Sequence, residues 1–165
     1  LQGEFGRAIA DLNRSIAIAT EMGSKERIAE AQWHLAEAYL GLGQLETAQK
    51  FADQSVTLAV EIGRKLIESK VLRTQASIAQ QQHDLPKAMD CIERSLAILT
   101  VLKSQFELAK TQCQLALLQR DQGNIAQACV TLEQTLVTFD RLGAQVERQR
   151  ARAELDRLTH LNPDG

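Results

Sequence analysis

One pattern occurs four times in the chain at a constant interval. "GEFGRAIADLNRS" stands at 3–15, "GQLETAQKFADQS" at 43–55, "HDLPKAMDCIERS" at 83–95 and "GNIAQACVTLEQT" at 123–135, so the copies keep one register with no insertion. Ala8, Ala48, Ala88 and Ala128 share a column without exception. Phe5, Leu45, Leu85 and Ile125 fill an apolar column, as do Leu12, Ala52, Ile92 and Leu132. Ser15, Ser55, Ser95 and Thr135 keep a small hydroxyl, and Gly23, Gly63 and Gly143 form a glycine column broken by Lys103. A period of this length marks a stacked repeat, in which no single unit can bury its apolar face alone.

Within each copy the spacing is helical. Leu45, Ala48, Ala52, Val56, Ala59 and Ile62 advance in helical steps, as do Ile28, Ala31, Leu35, Ala38 and Leu42 before them. The "GLGQ" between the two runs is a turn that joins an antiparallel helix pair. Ser104 with Glu107 has capping-box spacing, Asp84 and Asn124 are N-cap residues, and Pro86 suits a first helical turn. These signals predict eight helices, at about 4–22, 25–42, 45–62, 65–82, 85–102, 105–122, 125–142 and 145–161. Each is roughly 18 residues, or about 27 Å. β-Branched runs between turn residues are missing, so the expected fold class is all-α, an α–α superhelix of about eight antiparallel helices.

The expected organisation is one repeat domain over 1–165, read as a fragment of a longer protein. In it 1–23 is the second helix of a partial repeat, 24–63, 64–103 and 104–143 are full repeats, and 144–161 is a capping helix. Arg148, Arg150, Arg152 and Arg157 with Glu147, Glu154 and Asp156 make that last helix polar, and "NPDG" stops it. The first helix, with Phe5, Leu12 and Ile16, has no helix before it to cover its apolar face. Further repeats of a parent protein would cover it, or a second chain in a homo-oligomer through the N-terminal helix.

Composition narrows the function. A formal charge of −2 argues against a nucleic-acid partner. No apolar run reaches the roughly 18 residues of a membrane span. Cys91, Cys113 and Cys129 form no CxxC pair and leave an odd count, as expected of free thiols in a reducing, cytoplasmic setting. There is no Walker loop, GxGxxG, HExxH or GxSxG, and His34, His83 and His160 fall in separate repeats. The reading is therefore no enzyme, no catalytic residue, no cofactor and no metal.

At these columns the chain resembles tetratricopeptide repeats. Ala36, Ala76 and Ala116 fit the small residue of that family's first helix, Gly43 and Gly123 its turn, and Ala48, Ala88 and Ala128 the next small residue, with Ser55, Ser95 and Thr135 after them. Leu35 and Tyr39 match two further positions. The family's tryptophan position holds Gln32, Leu72 and Gln112, with Trp33 one place late, and its closing proline is replaced by Thr20, Val60, Thr100 and Asp140. Without that proline the second helix runs on to the glycine column, as in the long-repeat variety of kinesin light chains and MalT-type bacterial regulators. HEAT and armadillo repeats share the period but lack this pattern of small residues.

The resemblance implies a protein or peptide partner held on the face that the first helices line. Carried over by position, that face comprises Glu30, Trp33, Glu37 and Leu40, then Lys70, Arg73, Ser77 and Gln80. Lys110, Cys113, Gln114, Leu117, Arg120 and Asp121 follow, and last Arg150, Ala153, Glu154 and Arg157. Its middle reads as basic, with Lys70, Arg73, Lys110 and Arg120 against Asp121 alone, followed by Arg150 and Arg157. A partner with acidic side chains or a free C-terminal carboxylate would suit it. The carboxylate clamp of chaperone-binding relatives is not reproduced, because the corresponding frame is Arg73, Ser77, Gln114, Arg150 and Glu154. Trp33 is either part of the core or a peptide anchor. Two further readings are a regulatory or sensor segment of a larger signalling or transcription protein, and a self-assembly module.

Overall fold

The computed structural model describes residues 2–161, with backbone alone at 2–4 and 161. Leu1 and the "NPDG" at 162–165 lie outside the described residues. Among the described residues there are eight helices and no strand: α1 (Gln2–Glu21), α2 (Lys25–Gly41), α3 (Leu45–Glu61), α4 (Lys65–Gln81), α5 (Leu85–Leu102), α6 (Gln105–Asp121), α7 (Ile125–Leu142) and α8 (Gln145–Leu161). Every expected helix is present, with ends close to those read from the repeat. The fold is all-α, of the α–α solenoid class.

The same turn follows every helix from α1 to α7. Gly23, Gly43, Gly63, Gly123 and Gly143 take φ between 66° and 83°, and His83 (φ 62°) and Lys103 (φ 54°) adopt the same left-handed conformation. At each turn the residue after the left-handed one donates its N–H to a carbonyl in the last helical turn, as Ser24 does to Ala19 O at 2.8 Å and Ala144 to Phe139 O at 2.9 Å. The left-handed residue itself donates to a carbonyl nearer the helix end, as Gly63 does to Val60 O at 3.1 Å. This double bond pattern satisfies carbonyls that a helix end leaves open, and it requires the left-handed backbone.

The N-termini differ from expectation. Asp84 caps α5 as read, its Oδ1 accepting the Lys87 N–H at 3.1 Å. Ser104 and Asn124 stand at the N-cap positions of α6 and α7, but neither side chain makes a capping hydrogen bond. Their ψ values of 80° and 58° fall short of the extended backbone that aims a cap side chain at the first turn. At these two helices the cap chemistry is left unused.

The chain divides into two compact units, Leu1–Cys91 and Ile92–Gly165, with the boundary inside α5. In the first unit α2 packs on α1 and α3, α3 packs on α4, and α4 also touches α2. Its core is built from Ala29, Trp33, Ala36, Ala48, Ala52, Ala59, Ile67, Val71 and Ile78, with Tyr39 stacked on Phe51 at 5.5 Å. Alanines at facing columns remove the side-chain bulk between α2 and α3 and let the two helices approach closely. There the fully buried Ser55 Oγ donates to Ala29 O at 2.7 Å. Two exposed ion pairs, Lys25 with Glu61 and Arg64 with Glu26, tie the outer ends of the helices, each at 2.5 Å.

In the second unit α7 packs between α6 and α8, and α6 also touches α8. Ala109, Ala116, Ala128, Leu132, Leu136, Phe139, Ala151, Leu155 and Leu158 form its core. The edge of Phe106 meets the Phe139 ring at 6.3 Å. Ala151, Leu155 and Leu158 follow helical spacing, so α8 buries one stripe and leaves its other faces polar.

Candidate partner-binding faces

The first unit holds five of the expected site residues: Trp33 and Glu37 on α2, and Lys70, Arg73 and Ser77 on α4. Trp33 is only 8% exposed, and its Nε1–H donates to Thr74 Oγ1 at 3.0 Å. Lys70 Nζ lies 5.0 Å from the centre of its ring, a cation–π contact. The tryptophan is thus a satisfied core residue that clamps α2 to α4. The sequence signal for its partner was Thr74, which shares a repeat column with His34, Gln114 and Glu154. Arg73 is also buried, at 9% exposure. Ser77 Oγ bonds back to Arg73 O at 3.3 Å, as helical serines do. Glu37 is exposed and lies 3.3 Å from His34 Nδ1. The part of this face that solvent reaches is therefore less basic than the residue types suggest.

The second unit holds Lys110, Gln114 and Arg120 on α6 and Arg150 and Arg157 on α8. Here the expected charge balance needs correction. Glu154, on α8, accepts from Arg120 at 2.6 Å and from Arg157 at 3.2 Å, while Arg120 also reaches Asp121 at 2.8 Å. Burial alone would lower the Arg120 pKa, but its hydrogen bonds and charge contacts with Asp121 and Glu154 outweigh that and raise it. Arg120 is thus a fixed cation held by two carboxylates. The expected balance set Asp121 alone against the cations although Glu154 stands on the same face, and the helical spacing of Glu154 to Arg157 was the signal for their pairing.

Arg150 is exposed and Lys110 half-buried. Neither forms an ion pair among the described residues, although Lys110 Nζ lies 5.5 Å from the Phe106 ring centre. The two share one repeat column, at the same register on the touching helices α6 and α8. Helices in contact run about 8–10 Å apart, a span that an anionic group can bridge. Cys113, half-buried, donates from Sγ to Thr135 Oγ1 at 3.5 Å. All three cysteines are in the thiol form. Among the described residues no group of three or more His, Cys, Asp or Glu is placed to hold a metal ion, and no helix is long and apolar enough to cross a membrane.

Comparison with known proteins agrees with this architecture. Residues 27–100 match the tetratricopeptide repeat family. None of the curated proteins matches the chain. Among solved structures, BtubC (BKLC) from P. vanneervenii superposes with a TM-score of 0.71 at 19% identity, over 98% of this chain and 74% of that one. A Podosopora anserina kinesin light chain with nearly identical TPR-like repeats gives 0.64 at 18% identity, over 99% and 91%. Aspartyl phosphate phosphatase F from Bacillus subtilis gives 0.66 at 11% identity, and the match covers 97% of this chain and 50% of that one. At such identities these likenesses concern the fold alone. Over 27–100 the chain is similar to the tetratricopeptide repeat family, in keeping with its repeat register, alanine columns and recurring left-handed turn.

Proposed function

We propose that the chain is a non-catalytic protein-interaction scaffold that holds an acidic segment, or a free C-terminal carboxylate, of a partner protein on the α6–α8 face. One observation carries this reading. Lys110 and Arg150 occupy equivalent places on two touching helices without an ion pair among the described residues, beside the Arg120–Glu154–Arg157 network. That network neutralises its charge internally and supplies a stiff frame, so the two remaining cations select the ligand. Binding to a frame already ordered costs little reorganisation. The thiols suit work in a reducing, cytoplasmic compartment.

The test compares the chain with a Lys110→Glu/Arg150→Glu variant, both loaded on resin and challenged with lysate and with peptides ending in acidic residues. Neither position is buried, so the variant retains the fold, which circular dichroism verifies. Partners captured by the parent and lost from the variant support the reading. Capture of the same partners by both would reduce the face to solvated surface.

A further inference from the structure

Charge on the α6–α8 face changes sign in steps of one helical turn. Glu107 and Glu147 come first, at one register on the two helices, followed by Lys110 and Arg150 and then by Gln114 and Glu154. Leu117 and Arg157 are next, and Arg120 and Asp121 end α6. These steps of three or four residues keep the side chains on one side of each helix. The other charges of α8 lie elsewhere: Arg148 pairs with Asp140 of α7, and Arg152 and Asp156 project from the far side by helical spacing. On the face itself Lys110, Arg120, Arg150 and Arg157 are balanced by Glu107, Asp121, Glu147 and Glu154. What such a face can select is the order of charges in a ligand rather than their sum.

Glu154 sets that order. Its carboxylate accepts from Arg120 at 2.6 Å and from Arg157 at 3.2 Å, and 14% of its side chain is exposed. It occupies the column of Thr74, the acceptor of the Trp33 indole, so in each unit this column joins two successive first helices. A neutral hydroxyl makes the joint in α4, whereas in α8 a negative charge stands between Arg150 and Arg157. The Arg157 side chain is 75% exposed and commits one guanidinium nitrogen to Glu154, which leaves further N–H donors for a second acceptor. The first unit has no matching cationic step, because the columns of Lys110 and Arg150 hold Glu30 and Lys70 there, opposite in sign.

Spacing completes the pattern. Arg150 and Arg157 stand two turns apart, which is about 10 Å along α8. Three residues of extended chain cover about the same distance. Acids at the two ends of a four-residue extended stretch therefore reach both cationic steps, and the two residues between them pass Glu154, which repels a third acid.

We infer that this face selects an extended partner segment with two acidic residues separated by two residues that are not acidic, and that Glu154 enforces the gap. One acid lies between Lys110 and Arg150, and the other takes the open side of Arg157. This rests on the reading of the face as the seat of an acidic partner and narrows it from charge to spacing.

The probes are two labelled peptides of serine and alanine, equal in length and net charge, one with its two glutamates separated by two residues and one with them adjacent. Each is titrated with the chain and followed by fluorescence anisotropy. The spaced peptide should bind about tenfold more tightly than the adjacent one. Glu154→Gln keeps the side-chain volume and should cut that preference to about twofold or less by improving the adjacent peptide. Arg157→Gln, at a largely exposed site, should weaken the spaced peptide about fivefold and leave the adjacent one nearly unchanged. Circular dichroism verifies the helix content of both variants. Equal binding of the two peptides to the parent, lost in Lys110→Glu/Arg150→Glu, overturns the spacing and leaves the acidic-partner reading standing. A preference that survives Glu154→Gln unchanged also overturns it. Absence of saturation by either peptide at about 1 mM overturns both readings together.

Discussion

Replacing His83 and Lys103 by glycine should stabilise the protein. Both residues hold left-handed backbone, at φ 62° and 54°, in turns where the other five positions are glycine. Their side chains are exposed and make no hydrogen bond or ion pair among the described residues, so removing them forfeits no contact. A non-glycine residue in this region costs about 1–2 kcal/mol. Glycine returns about 0.4–1 kcal/mol of that through the extra freedom of the unfolded chain. The net gain is about 0.5–1 kcal/mol for each replacement, or a rise of about 1–4 °C in midpoint for a chain of this size. Gly63→Ala runs the comparison backwards. A Cβ there meets nothing within 4 Å, so backbone strain is the only penalty and the loss should match the gain. Urea unfolding followed by circular dichroism reads all three variants, with His83→Gly reporting on the first unit and Lys103→Gly on the second. If the glycine variants unfold at lower urea, or Gly63→Ala is neutral, backbone conformation is not what limits these turns.

Three further outcomes test the packing. Thr74→Val should cost about 1–3 kcal/mol by leaving the Trp33 indole N–H buried without an acceptor, and Thr74→Ser should restore most of it; denaturation followed by tryptophan emission distinguishes them. Ser55→Ala should cost about 1 kcal/mol by removing a buried bond to Ala29 O, while Ser15→Ala, at the exposed equivalent column, should leave the urea midpoint unmoved. Glu154→Gln should destabilise more than Glu61→Gln, because Glu154 is 14% exposed between two arginines and the Lys25–Glu61 pair is more than half exposed on both sides. The exposed pair is worth under about 1 kcal/mol, and the difference between the variants in urea is the readout.

Helix positions were legible because the repeat states them several times over. A column such as Ala48, Ala88 and Ala128 averages out local ambiguity, and each helix end coincides with a turn residue. The left-handed turn was legible where glycine marks it, but nothing in His83 announces the same backbone. Its conformation is imposed by the helices on either side. The caps were legible in part: Asp84 caps α5, whereas Ser104 and Asn124 have the right chemistry and make no capping bond. Exposure was harder to read than register. Trp33 lies where the register puts it, yet Thr74 and Lys70 enclose it, and both partners belong to the next repeat along the chain. The charge of the α6–α8 face depends on Glu154, which the expected balance of cations against Asp121 alone left out.

The uniform turn also bears on how such a protein changes in length. After each helix the backbone returns to the same local state, and after each pair of helices the same side-chain columns recur. Duplication or loss of one whole repeat in the gene would keep the alanine columns and the turns in register at the new junction, although other residues there would differ. Adding or removing a single helix with its turn would preserve the turns but set alanine columns against faces built for other residues. Inserting one amino acid within a helix would rotate the rest of that helix by about 100°. Recombination can therefore alter the number of modules without passing through an unfolded intermediate product, provided that it moves in steps of two helices.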